Sequence, residues 1–130
     1  MNSNTLGLLA GRVLLALMFL LAGISKINAY AGTGAYMQSV GIPSELLPLV
    51  IVLEIGGALA LIAGWQTRLV SYALAGFTLV AAIMFHFHLG DQMQMILFMK
   101  NIAIVGGFLI LAASGAGVWS LDGRRQATTR

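Results

Sequence analysis

Residues 46–64 read LLPLVIVLEIGGALALIAG. At 1.5 Å per residue this stretch makes a helix of about 28 Å, close to the roughly 30 Å of bilayer hydrocarbon. It holds a single charge, Glu54, and its one proline, Pro48, falls in the first turn. Proline is tolerated there because first-turn amides have no intrahelical acceptor. No alternation of apolar and polar residues suggests a barrel strand, so a helix is the spanning form left. A lone carboxylate inside such a helix needs a partner, and that makes it the first candidate for function.

Three further apolar stretches flank this one. The expected spans are 6–26, 46–64, 69–87 and 95–115, and the last apolar run continues to Trp119. The whole chain is 59% hydrophobic and 8% charged, where soluble domains carry about 25% charged residues. So few charges cannot coat a water-facing surface. The fold expected is all-α, an integral membrane four-helix bundle, as a single domain over 1–130. The lipid bilayer is then its first partner. The net charge is +3, but the basic residues form no stripe with interleaved aromatics, so no nucleic acid partner is expected. Cysteine is absent, which excludes disulfides, thiolate nucleophiles and iron–sulfur ligation by this chain. Residues 13–24 have the length of a signal-peptide core. However, Met1–Thr5 carries no positive charge and the run extends back to Leu6, so it is read as a span.

The connections carry the topology. Residues 28–44 include Gly32, Gly34, Gly41 and Pro43, a longer loop in which Tyr36–Val40 is a candidate interfacial helix. Gly64-Trp65-Gln66-Thr67-Arg68 is a tight turn. The loops at 27–45 and 86–94 contain no Lys or Arg, whereas the turn and the tail after Asp122 contain four. The positive-inside rule then predicts both termini inside, N-in and C-in. Trp65, Tyr72 and Trp119 fall at one interface and Tyr30 and Tyr36 at the other, as aromatic belts do. Small residues suit close packing in lipid. Gly7 and Gly11, the ridge Gly56–Ala60–Gly64, Gly76 and Gly106–Gly107 are therefore expected mostly inside the bundle, with a homo-oligomer face as the other use of such motifs.

Depth along the helices decides which polar residues can meet. Glu54 lies about 12 Å below the outer face and Lys100 about 8 Å below it. Both side chains lean outward, toward their helix N-termini. A Glu54–Lys100 ion pair is expected, with Asn101 beside it and His86 about two turns above. Arg12 lies about 9 Å from the inner face and should snorkel back toward it. Lys26 is an outer-interface anchor or lines the mouth of the site. The candidate buried polar site is thus Glu54, Lys100, Asn101, His86 and Arg12. A pair that merely fixes helix register is the competing reading of its charges. His86 and His88 project about 200° apart on a helix and do not chelate as a pair, so no metal is expected. No nucleophile–base pair, P-loop or dinucleotide fingerprint is present, and no catalytic residue is assigned.

A series of short motifs runs along the chain: Gly11-Arg12, Ala22-Gly23-Ile24-Ser25-Lys26, Tyr36-Met37, Gly41-Ile42-Pro43, Leu53-Glu54-Ile55-Gly56-Gly57, the 64–68 turn, Ala75-Gly76-Phe77-Thr78, Phe85-His86, Met99-Lys100-Asn101 and Gly106-Gly107. Taken together they resemble the DoxX family of small bacterial inner-membrane proteins. Their order and spacing carry the likeness, which covers nearly the whole chain. The resemblance implies a four-helix bundle in the bacterial inner membrane. Some relatives are linked to quinone-coupled oxidation or to membrane oxidoreductase complexes, and many have no assigned activity. The implied role is an accessory subunit of a membrane redox system, with quinone as the candidate cofactor and a membrane or peripheral oxidoreductase as the candidate partner. Two alternatives stay open: a quinone-dependent oxidoreductase acting on a small molecule, and a small transporter or proton relay.

Overall fold

The computed structural model describes residues 3–86 and 90–124. Phe87 at the end of the third expected span, His88, Arg125, Arg130 and the side chain of His86 lie outside the described residues. Four long helices dominate: α1 (Ser3–Asn28), α3 (Leu47–Ala63), α4 (Thr67–His86) and α5 (Gln92–Ser114). Each is long and apolar enough to cross a membrane, α3 when counted from Ser44. The short helix α2 (Tyr30–Ser39) and a 3-10 turn (Ser44–Leu46) join α1 to α3. Among the described residues there is no strand.

Helix ends follow local chemistry. Gly64 at φ +73 ends α3 in a left-handed cap, where the Trp65 amide reaches back to the Ala60 carbonyl at 2.8 Å. The Asp91 side chain caps α5 by accepting from the Met93 amide at 3.0 Å. That cap starts α5 at Gln92, earlier than the expected 95. Gly115 at φ +79 and Gly117 at φ +92 end it, so the apolar run to Trp119 is not helical at its end. The expected loop helix at 36–40 is instead the longer α2. The Ala29 amide still bonds the Ser25 carbonyl at 2.9 Å, so α1 passes almost directly into α2.

α1 packs along α3, and α4 packs along α5. The core between the pairs includes Ala16, Phe19, Ala58, Leu61, Leu74, Ala75, Phe108 and Leu111. The Phe19 and Phe108 rings tilt against each other at 5.4 Å. Both described chain ends sit at one end of the bundle, since Arg12 bonds the chain after α5. α2 closes the opposite end, with Met37, Ile42 and Leu47 packed together. The aromatic residues Trp65, Tyr72, Trp119, Tyr30 and Tyr36 are all exposed.

The glycines divide differently from expectation. Gly57 faces Leu74, and Gly23 is so close to Ile55 that a Cβ there would collide with its side chain. Gly7, Gly11, Gly56, Gly76 and Gly106 have nothing within 4 Å of where a Cβ would sit. Close packing therefore uses Gly23, Gly57, Gly64 and Gly107. The G-x-x-x-G motif of α1 faces outward, because period alone does not reveal which face a helix turns inward.

Candidate functional site

Glu54 is 3% exposed, at the middle of α3. Its partner is Lys26 of α1, not Lys100. The Lys26 Nζ lies 2.9 Å from Oε1 and donates to Oε2 at 3.3 Å. The ammonium side is more open, with 29% of the Lys26 side chain exposed against 4% for Glu54. The pairing follows from the lean of helical side chains toward the N-terminus. Lys26, near the C-terminal end of α1, bends back into the bundle, and Gly23 one turn earlier lets α3 approach.

Two more polar residues share this layer. Gly57 faces Leu74, so Glu54 is about 4.5 Å, and Thr78 about 6 Å, nearer the α2 end than that contact. Gly107 faces Leu15, which puts Asn101 and Gly23 within about 3 Å of the same level. Thr78 is 3% exposed and Asn101 8%. The Thr78 Oγ1 is buried with no hydrogen-bond partner among the described residues. One polar residue from each spanning helix thus occupies one layer: Lys26, Glu54, Thr78 and Asn101.

The expected site divides accordingly. Glu54 and Asn101 share the layer. Lys100 has the expected depth but the wrong azimuth: Asn101 faces inward, and Lys100, 100° away on the helix, is exposed. His86 is the last residue of α4. Lys26, expected as an anchor or at the mouth of the site, is the partner of Glu54, and Thr78 is not among the residues expected there. The stripe Thr67, Ser71, Leu74, Ala75, Thr78, Ala82, all buried, has helical period and was the signal available for Thr78.

Arg12 lies at the other end and does not snorkel. It is 2% exposed. It donates to the carbonyls of Ala116, Trp119 at 2.8 Å and Ile62 at 3.4 Å. The turns at Gly115 and Gly117 fold the chain back over the bundle and present those carbonyls. The same segment closes the 64–68 turn. Asp122 accepts from the amides of Gln66 at 2.9 Å and Thr67 at 2.8 Å, capping α4 from across the fold, and its own amide bonds the Gly64 carbonyl at 2.8 Å. Burial pushes the Asp122 carboxyl upward. The hydrogen bonds from Thr67 and Gln66, with Arg12 nearby, outweigh that and hold it below its ordinary value. Arg12 and Asp122 form a structural clasp.

A shallow open groove of about 410 Å³ runs between α2 and the 3-10 turn, lined by Tyr30, Ala31, Gly34, Ala35, Gln38, Ser44 and Glu45. Its edge at Tyr30 begins one turn beyond Lys26. No cluster of three metal-ligating side chains occurs among the described residues.

Comparison with known proteins agrees with this architecture. The DoxX family model matches residues 7–87. Inner membrane protein YqjF of Escherichia coli (strain K12) is 47% identical over 116 residues, covering 89% of each chain. Inner membrane protein YphA of the same strain is 36% identical, covering 90% of this chain and 89% of its own. A Bacillus subtilis (strain 168) protein named "Putative oxidoreductase CatD" is 32% identical over 63% of this chain and 60% of its own. No solved structure matches. With four spanning helices and these relatives, the chain is a multi-pass inner-membrane protein and belongs to the DoxX family.

Proposed function

We propose that this protein is an accessory, quinone-associated subunit of a membrane redox system, and that the Lys26–Glu54 layer holds the quinone head group. The observation that carries this reading is the asymmetry of the pair: a sealed carboxylate joined to an ammonium that remains open at its edge. Such a pair at hydrocarbon depth costs desolvation that a pure register device need not incur. A quinone suits the residues present. Its carbonyl oxygens accept from the Lys26 ammonium, from the Thr78 hydroxyl, which is buried without another partner, and from the Asn101 amide. Its isoprenoid tail belongs in the lipid beside α1 and α3. Glu54 holds the ammonium in place and balances its charge. No nucleophile or redox-active side chain stands in the layer, so the chain binds and positions while a partner does the electron chemistry. The relative named as an oxidoreductase supports a redox setting.

In this reading the termini face the cytoplasm, since Arg68 and Arg124 lie at the end of the bundle that carries them; a C-terminal reporter that is active only in the periplasm would overturn that orientation. The functional test is extraction. Protein purified in mild detergent is extracted with organic solvent and analysed by mass spectrometry. A quinone recovered with the wild type and depleted in Lys26→Met supports the proposal. Equal recovery, or none, removes it.

A further inference from the structure

Lys100 is a cation on the outside of the bundle, within a spanning helix. Among the described residues it has no ion-pair partner, since the acid at its depth, Glu54, is buried and taken by Lys26. Its azimuth is fixed by Asn101 and Phe108, which face the core seven residues apart. That turns Lys100 outward among Met93, Ile96, Met99 and Ala103, all exposed.

Depth rules out an ordinary interfacial anchor. α5 has 23 residues, so it is about 34 Å long, and centred on the hydrocarbon it overhangs by about 2 Å at each end. Lys100 is the ninth residue of α5, about 12 Å from its start, and thus about 10 Å inside the hydrocarbon. A lysine side chain reaches about 6 Å when extended. Pointed straight at the interface, the ammonium still falls short of it.

We infer that the Lys100 face of α5 docks a spanning helix of another protein that carries a carboxylate at matching depth. An uncompensated charge in lipid is costly, and a carboxylate is the group that neutralises it. A second copy of this chain cannot supply one. The chain has four acidic residues. Glu54 is committed to Lys26, Glu45 lies in the 3-10 turn, Asp91 caps α5, and Asp122 caps α4. None is exposed at mid-span. The exposed methionines beside Lys100 give an adaptable apolar surface on which a partner helix can settle. The inference deepens the accessory-subunit reading by naming the chemistry of the partner, but it does not depend on quinone.

The test uses a synthetic spanning peptide of leucine and alanine, 23 residues long, with Glu or Gln at its ninth position. Association with the reconstituted full-length protein is read by energy transfer in phosphatidylcholine vesicles. The Glu peptide is expected to bind about tenfold more tightly than the Gln peptide. That preference should vanish in Lys100→Met and survive in Lys100→Arg. Equal binding of the two peptides overturns the inference, as does a preference that persists in Lys100→Met. If Lys100→Met instead loses only enrichment of phosphatidylglycerol, Lys100 is a lipid anchor and the docking face is wrong. Failure of quinone extraction would leave this result untouched.

Discussion

Replacing Lys26 with Met removes the only cation paired with Glu54 among the described residues. Breaking a fully buried pair by deleting one partner costs about 3–5 kcal/mol, because the other charge is left uncompensated. Here the Lys26 side chain is 29% exposed, so solvent and headgroups reach one side and the cost is reduced to about 2 kcal/mol. For a chain of this size that corresponds to a fall of about 6–10 °C in thermal midpoint. The double variant Lys26→Met with Glu54→Gln should recover most of the loss, since neither charge remains. Lys100→Met deletes an outward cation and should change stability by less than about 0.5 kcal/mol. The assay is thermal unfolding in mild detergent, followed by size-exclusion chromatography. If Lys100→Met is as damaging as predicted for Lys26→Met, and Lys26→Met is silent, then Glu54 pairs with Lys100 and the layer is misassigned.

Other consequences follow from the clasp and the glycines. Arg12→Leu leaves three carbonyls without their donor and should cost about 2–4 kcal/mol, with Arg12→Lys rescuing only part, because an ammonium cannot reproduce the planar fork; the same unfolding assay reads it. Asp122→Asn weakens the cap on α4. Because the folded carboxylate lies below its ordinary value of 3.8, its contribution is full above that value and lost as pH falls through the lower folded value. The stability gap between wild type and Asp122→Asn should therefore be constant near neutrality and close below about pH 4, as measured by unfolding across a pH series. Gly64→Ala combines a positive φ with a collision against Ser120 and should cost about 2–4 kcal/mol. Gly56→Ala, with open space around it, should be neutral or gain up to about 1 kcal/mol in helix propensity.

The four spans were legible from composition and length, because lipid permits few ways to satisfy a backbone. The depth of the polar layer was legible too: Glu54, Asn101 and Lys100 do fall at about one level. What depth arithmetic lacks is azimuth. One residue of offset separates Asn101 inside from Lys100 outside, and that moved the ion pair to Lys26. The lean of side chains toward helix N-termini, already applied to Arg12, points Lys26 inward in the same way. Arg12 itself was misread for a different reason. Its acceptors lie in a segment after α5 that folds back on two glycine turns, and a long-range return of this kind leaves no periodic signal. The outward face of Gly7 and Gly11 was hidden likewise, since a small-residue motif has the same spacing whichever way it points.

The central claim is that the Lys26–Glu54 layer binds a quinone head group. Its most direct test is equilibrium binding of a short-tailed quinone to the purified protein, for the wild type, Lys26→Met and Lys100→Met. The account expects saturable binding by the wild type, at least about tenfold weaker binding by Lys26→Met and no change in Lys100→Met. Binding that is absent in the wild type, or equally strong in Lys26→Met, would contradict it.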